Sequence, residues 1–211
     1  MRKYISVGLK LIIFFASIIS VILSVIMTSK YQSGLKSLMY FTVQSNLWIG
    51  FISLWILILM ILEFIYDKKF IKKYHYILKY VFTVSISLTG LVFCAFLAPN
   101  ASNYNPWTLN SILTHVVVPV VSMLDFFVDD YKFKLKNKDI LYTLLPPLYY
   151  FLFSVICFVC DFKFSDGNNY PYFFLNFNSI IWSYWIVILA LIVSLFGYLF
   201  KTFNNTINNK N

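Results

Sequence analysis

The stretch W-T-L-N-S-I-L-T-H-V-V-V-P-V-V-S-M-L-D, residues 107–125, carries a histidine and a proline inside an apolar run. Read as a helix, it places its polar side chains on one face, because positions three, four and seven apart share a face. An ionisable side chain at membrane depth indicates a functional site, whereas a neutral histidine can also simply hydrogen-bond to a neighbouring helix. Both interpretations stay open for this polar face, which consists of Thr108, Ser111, His115 and Ser122.

Two further residues of this stretch bear on the histidine. Pro119 has no N–H to donate to the carbonyl four residues earlier, which belongs to His115. The sequence therefore predicts a kinked helix in which His115 offers an imidazole and a free main-chain acceptor. Asp125 has two interpretations, an ion pair with a lysine of the following loop, which we favour, or an acidic member of the His115 site.

The composition predicts an all-α membrane protein. Of the 211 residues, 60% are hydrophobic and 12% are charged, whereas globular proteins average roughly 45–50% and about 25%. Apolar runs of about 20 residues, the length that crosses roughly 30 Å of hydrocarbon, recur along the chain. We therefore expect one domain over residues 1–211, a bundle of six transmembrane helices in the cell membrane. The runs cover about 8–28, 38–66, 76–98, 107–128, 140–160 and 178–200.

The positive charges predict the sidedness of the bundle. The chain has 17 Lys and Arg residues, and all except Lys30, Lys36 and Lys163 fall at one side of the alternating spans. Positive residues concentrate on the cytoplasmic side of membrane proteins, so both termini are predicted to be cytoplasmic. The net charge of +9 comes from positive residues in short loops beside the helix ends, where they can contact lipid headgroups. We therefore expect no nucleic-acid partner. This orientation places His75 and Asp130 inside the cell, with Asn103 and Asn168 outside.

Prolines and aromatic residues mark the last two spans. Pro146 and Pro147 leave the carbonyls of Tyr142 and Thr143 without helical partners, which predicts a break or a late start in the fifth helix. Aromatic residues crowd the segment around the start of the sixth helix. They suit an interfacial belt and could also cover a lipid-binding cleft: Tyr170, Tyr172, Phe173, Phe174, Trp182, Tyr184 and Trp185.

The second span begins with M-Y-F-T-V-Q-S-N-L-W, which is unusually polar for the start of a transmembrane helix. Thr42, Ser45 and Asn46 lie three and four residues apart and share one helix face, while Gln44 points to the other side. Such residues can form a site. They can also join helices by hydrogen bonds, each worth about 0.6 kcal/mol on average.

No signature for a cofactor or a metal is present in the sequence. It contains no Gly-rich phosphate loop, no G-x-S-x-G motif and no pair of histidines at ligand spacing. We expect neither a cofactor nor a metal ion, and the oligomeric state is left open.

Several motifs together resemble a known family. They are F-T-V-Q-S-N-L from Phe41, T-G-L-V-F-C-A-F-L-A-P at the end of the third helix, L-T-H-V-V-V-P, P-P-L-Y-Y and Y-P-Y-F-F-L-N. In this order they resemble a bacterial family of six-span membrane proteins. That family is similar to the animal androgen-induced and androgen-dependent membrane proteins, which hydrolyse fatty acid esters of hydroxy fatty acids.

The resemblance implies a threonine nucleophile at Thr42 and a histidine partner at His115. The expected function is an intramembrane hydrolase of lipid esters, whose substrate enters laterally from the membrane lipids. The competing class is a non-enzymatic lipid or small-molecule binder, or a transporter, although inverted repeats typical of many transporters are not evident. The remaining assignments are Ser45, Asn46, Gln44 and Ser111 as substrate-binding or oxyanion residues, and Pro119 and Asp125 as supporting residues.

Overall fold

The computed structural model describes residues 2–30, 33–100, 105–129 and 133–208, and these ranges contain helices and no strand. The predicted six-helix membrane fold is confirmed, because the described ranges hold six helices long and apolar enough to cross a membrane. The spans are Lys3–Ser29, Phe41–Tyr66, Lys73–Leu97, Leu109–Val128, Asn137–Val159 and Ile181–Ile207.

Within the described ranges, the spans are built from eight α-helices and two π-helical turns. The π turn Phe93–Leu97 follows α3, and the π turn Leu113–Val117 joins α4 to α5. Short 3₁₀ turns lie at Gly34–Met39 and Phe173–Leu175. The α-helices are α1 Arg2–Ser29, α2 Phe41–Tyr66, α3 Lys73–Val92, α4 Leu109–Ile112, α5 Val118–Val128, α6 Asn137–Tyr142, α7 Leu145–Val159 and α8 Ile181–Asn208.

Proline positions explain both interruptions of the helical pattern. The predicted break of the fifth span is present, since Thr143 and Leu144 form a turn between α6 and α7 just before the two prolines. In the fourth span Pro119 is the second residue of α5, which continues directly from the π turn, and its ring nitrogen has no hydrogen to donate to that turn. The π turn precedes it, and the Val118 N–H bonds to the carbonyl of Leu113, five residues earlier.

Four helices, α1, α2, α3 and α5, pack side by side, and α7 and α8 pack against α3. Small residues allow close helix approach: a Cβ atom added at Gly50 on α2 would lie 2.9 Å from the Cβ of Ser17 on α1. This arrangement puts the third and fourth spans, with their π turns, beside the start of α2.

Hydrogen bonds show which helix ends lie together. The Tyr76 hydroxyl donates to Asn204 at 2.6 Å, and the Ser6 hydroxyl donates to Asp125 at 2.8 Å. The starts of α1 and α3 therefore share one end of the bundle with the last turns of α5 and α8. We call this the lysine-rich end, and its cytoplasmic location stays a prediction. Positions used for that prediction that lie outside the described residues are Asn103, Asp130, Lys132 and Lys210.

The structure corrects the interpretation of Asp125. Its carboxylate is fully buried and pairs with Lys10 on α1 at 3.0 Å and with Lys79 on α3 at 2.6 Å, not with a loop lysine. Asp129 completes the group by pairing with the same two lysines. Lys10 and Lys79 are not surface charges of this end, because each ammonium is buried between two carboxylates. The group, Lys10, Lys79, Asp125 and Asp129, is called the buried tetrad below.

Candidate functional site

Thr42 lies in the first turn of α2. Tyr40 is the N-cap residue, and its carbonyl accepts the N–H groups of Val43 and Gln44. The Thr42 N–H belongs to the first turn, which has no preceding carbonyls to bond with. It donates instead to the hydroxyl of Tyr172, in the loop before α8, at 3.4 Å.

The two polar residues that follow Thr42 on its face are fully buried, and their donor groups are hydrogen-bonded, whereas the Asn46 amide oxygen has no partner among the described residues. The amide nitrogen of Asn46 donates to the carbonyl of Thr42 at 2.7 Å and to the carbonyl of Thr114 at 3.2 Å. The Ser45 hydroxyl lies 3.1 Å from the Thr42 carbonyl and 2.8 Å from the hydroxyl of Thr89. Both side chains therefore tie α2 to its neighbouring helices beside Thr42.

His115 lies within the π turn of the fourth span, and its ring stacks on Phe93, with centroids 3.9 Å apart and planes at 11°. Nδ1 lies 3.0 Å from the carbonyl oxygen of Ser111. A carbonyl can only accept, so Nδ1 carries the proton, and Nε2 is the ring nitrogen that carries a lone pair in the neutral imidazole. The ring is thus held in the tautomer that a general base requires.

A polar cavity of about 370 Å³ brings three of the predicted site residues together, namely Thr42, Ser111 and His115. It lies at the end of the bundle opposite the lysine-rich end. The other described residues that line it are Ser24, Met27, Thr28, Ser37, Tyr40, Val43, Asn105, Thr108, Asn110 and Thr114.

A second cavity, of about 270 Å³, has one lining residue in common with the first, Thr42. Its wall is almost wholly apolar, and polar side chains reach it at Thr42, Thr89, Tyr150 and Tyr172. Thr42 thus lines both the polar cavity and the apolar one. The remaining described residues of the apolar cavity are Phe41, Leu88, Val92, Leu97, Leu144, Pro147, Leu148, Phe151, Phe174, Leu175, Ile186, Leu189 and Ala190.

The other predicted site residues have different surroundings. The described residues that line the two cavities do not include Gln44, Ser45 or Asn46. The Gln44 amide nitrogen instead donates to the Leu38 carbonyl at 3.0 Å. Asp125 lies in the buried tetrad.

Pro119 acts on the site through packing. A Cβ atom added at Gly90 on α3 would lie 2.9 Å from the carbonyl oxygen of His115 and 3.1 Å from Cβ of Pro119. The third and fourth spans therefore approach closely at the histidine, where glycine leaves room for the His115 carbonyl.

Two site residues escaped the sequence analysis as individual candidates. Tyr172 and Phe174 were among the aromatic residues that could cover a cleft, and both line the apolar cavity. Nothing in the local pattern distinguishes Tyr172 from its neighbours. The stacking of Phe93 on His115 was equally hidden, since it depends on how two helices pack.

Within the described ranges, no group of three or more His, Cys, Asp or Glu residues is placed to hold a metal ion. Comparison of the chain with protein-family models, with curated proteins and with solved structures found no match.

Proposed function

We propose that this protein hydrolyses lipid esters, with Thr42 as the nucleophile and His115 as the general base. The observation that carries the proposal is that Thr42 lines both an apolar and a polar cavity and shares the polar one with His115. An amphiphilic ester has the same division, with an acyl chain on one side of its carbonyl and an oxygen-linked group on the other.

Substrate placement follows from the linings of the two cavities. The acyl chain would occupy the apolar cavity, where transfer of each methylene out of water is worth about 0.8 kcal/mol. The ester carbonyl would lie at Thr42, and the alcohol portion would face the hydroxyl and amide groups of the polar cavity. The ester group would then lie beside Thr42, near the end of the bundle opposite the lysine-rich end.

The first chemical step forms an acyl-threonine. The Thr42 oxygen attacks the carbonyl carbon while its proton moves to Nε2 of His115. The electron pair of the C=O bond moves to oxygen, giving a tetrahedral oxyanion. When this intermediate collapses, the bond to the alcohol oxygen breaks, and the leaving alkoxide takes the proton from His115.

The second step consumes water. A water molecule in the polar cavity loses a proton to Nε2 of His115 and attacks the acyl-threonine carbonyl. Collapse of the second tetrahedral intermediate releases the fatty acid and returns the proton to the Thr42 oxygen. The hydrogen bond from Nδ1 to the Ser111 carbonyl holds the imidazole in one orientation through both steps.

A non-enzymatic lipid-binding protein is the second candidate. The apolar cavity favours it, because an almost wholly hydrophobic wall beside a polar chamber also suits a fatty acid or a lysolipid that is bound and never cleaved. In that case His115 and Thr42 would act only as hydrogen-bonding partners.

Hydrolysis of a long-chain ester by the purified protein in detergent distinguishes the two candidates. Thr42→Ala and His115→Ala should each abolish hydrolysis and labelling by a fluorophosphonate, and the double variant should be no worse, because members of one catalytic unit are strongly non-additive. Thr42→Ser should keep measurable activity, since it preserves the hydroxyl.

The matched control is Thr206→Ala, which removes an exposed threonine hydroxyl at the lysine-rich end. It should leave hydrolysis unchanged. Full activity of a folded Thr42→Ala variant, checked by thermal unfolding, would end the nucleophile assignment and favour the lipid-binding protein.

A further inference from the structure

The hydroxyl of Tyr172 meets the main chain of the proposed nucleophile. It lies 3.4 Å from the Thr42 nitrogen, and the tyrosine ring lines the apolar cavity beside Thr42. The ring is held on two sides, because it stacks on Phe174 with planes at 8° and contacts the edge of Tyr40 at a centroid distance of 5.8 Å. The loop that carries Tyr172 thus delivers one fixed hydroxyl group to the start of α2.

The Thr42 N–H is a suitable partner for a negative charge. It lies in the first turn of a 26-residue helix, where main-chain N–H groups lack helical acceptors and the helix dipole places partial positive charge. The bond to the Tyr172 hydroxyl, at 3.4 Å, is long and therefore weak for N–H···O. A negatively charged oxygen would be a stronger acceptor for the Thr42 N–H than this neutral hydroxyl.

The Tyr172 hydroxyl keeps its proton at neutral pH. Burial raises the pKa of Tyr172 to about 12, and this effect exceeds the lowering by the hydroxyl and N–H of Thr42 and by Tyr150. A neutral phenol can donate a hydrogen bond, whereas a phenolate would repel an oxyanion.

Two of the hydrogen-bond donors that the sequence suggested for the oxyanion, Ser45 and Asn46, have other partners. The amide protons of Asn46 go to the carbonyls of Thr42 and Thr114, and the Ser45 hydroxyl bonds to the Thr42 carbonyl and Thr89. Their hydrogen bonds organise the backbone around Thr42 and leave the stabilisation of a developing charge to other groups.

We propose that the O–H of Tyr172 and the N–H of Thr42 together bind the oxyanion of the tetrahedral intermediate. This inference rests on the proposed hydrolase function. As the Thr42 oxygen bonds to the carbonyl carbon, the carbonyl oxygen gains the electron pair and accepts both hydrogen bonds, while the hydroxyl proton of Thr42 goes to His115. Tyr172 transfers no proton and returns to its resting bond when the intermediate collapses.

Tyr172→Phe tests the proposal, because it removes the hydroxyl and keeps the ring that packs on Phe174 and Tyr40. The variant should lose about 10²–10³-fold in kcat, the effect of removing one oxyanion donor in other enzymes, with a much smaller change in KM. Its affinity for a long-chain trifluoromethyl ketone, which gives a tetrahedral oxyanion on Thr42, should fall by a similar factor. Its affinity for the matching ether, which cannot form the oxyanion, should be unchanged.

The matched control is Tyr170→Phe, the same chemical change two residues earlier in the loop, which should leave kcat and both affinities at wild-type values. If the Phe variant loses thermal stability, 3-fluorotyrosine at position 172 is the second test. It keeps the ring shape and strengthens the donor, so kcat should rise with KM nearly constant.

The outcomes separate this inference from the function on which it rests. Wild-type kcat and ketone affinity in Tyr172→Phe, with hydrolysis still dependent on Thr42, would overturn the oxyanion assignment and leave the hydrolase in place. Equal losses of ketone and ether affinity would show that Tyr172 only shapes the cavity, which also overturns it. If the wild-type protein shows no Thr42-dependent hydrolysis, the proposed function and this inference fall together.

Discussion

Asn46 uses one side chain to join the two segments that carry the proposed catalytic residues. Its amide nitrogen donates to the Thr42 carbonyl in its own helix and to the carbonyl of Thr114, the residue before His115. A buried amide that donates twice restricts both segments. Asn46 is therefore a positioning residue: it controls where Thr42 and His115 lie without contacting the substrate.

Asn46→Leu tests this role by keeping the side-chain size and removing both donors. Two buried carbonyls would each lose a hydrogen bond, so we expect a loss of about 1–3 kcal/mol in the free energy of unfolding and a fall in kcat. The measurements are denaturant unfolding in detergent and ester hydrolysis. The control is Ser53→Ala on the same helix, which removes a buried hydroxyl without a hydrogen-bond partner among the described residues. Equal effects of the two substitutions would contradict the positioning role.

The π turns place the third and fourth spans around the histidine. Phe93, the first residue of one π turn, stacks on His115 within the other. A π turn inserts one extra residue and is often found at functional sites. The two spans approach closely at Gly90, which lies against the His115 carbonyl and Pro119.

Gly90→Ala should disturb this contact. The added Cβ would lie 2.9 Å from the His115 carbonyl oxygen, so one helix must shift, which costs about 1–3 kcal/mol in unfolding free energy and moves the imidazole away from Thr42. Gly8→Ala is the matched control, because a Cβ there meets no atom of the described structure within 4 Å. We expect the unfolding temperature and the rate of hydrolysis to fall for Gly90→Ala only. Unchanged hydrolysis in Gly90→Ala would show that the contact tolerates the methyl group.

The buried tetrad fixes three spans of the bundle at the lysine-rich end. Two ammonium groups and two carboxylates, each at most 1% exposed, connect α1, α3 and the end of α5. A buried charge is very costly without a partner, but here the charges balance within the group. The tetrad is thus a structural feature, and its Asp125 lies ten residues, about half of the fourth span, from His115 in the polar cavity.

Asp125→Asn should destabilise the whole bundle. It leaves Lys10 and Lys79 with one carboxylate, and breaking a buried pair in this way costs about 3–5 kcal/mol in unfolding free energy. Asp161→Asn removes an exposed carboxylate paired with Lys163 at 2.7 Å and should cost less than about 1 kcal/mol. The double variant Asp125→Asn, Lys10→Met restores neutrality and should recover part of the loss. No recovery in denaturant unfolding would contradict the charge-balance argument.

The sequence by itself determined the features that depend on local periodicity and on proline chemistry. Apolar runs long enough to cross a membrane define six spans, Pro146 and Pro147 break the fifth, and helical spacing alone places Thr42, Ser45 and Asn46 on one face. These follow from 3.6-residue geometry and from a missing N–H, which need no knowledge of neighbouring helices. The polarity of Trp107 to Asp125 likewise identified His115 as a candidate.

Tertiary structure alone decided which side chains meet. A lysine near a helix end satisfies its charge equally well at the membrane surface or in a buried pair, so the partners of Asp125 depend on how α1 and α3 pack against α5. Ser45 and Asn46 turn toward neighbouring helices, because their hydrogen-bond partners lie there. Tyr172 reaches Thr42 across 130 residues of chain. Such a contact is fixed by the packing of a loop over the finished bundle, and local sequence carries no signal for it.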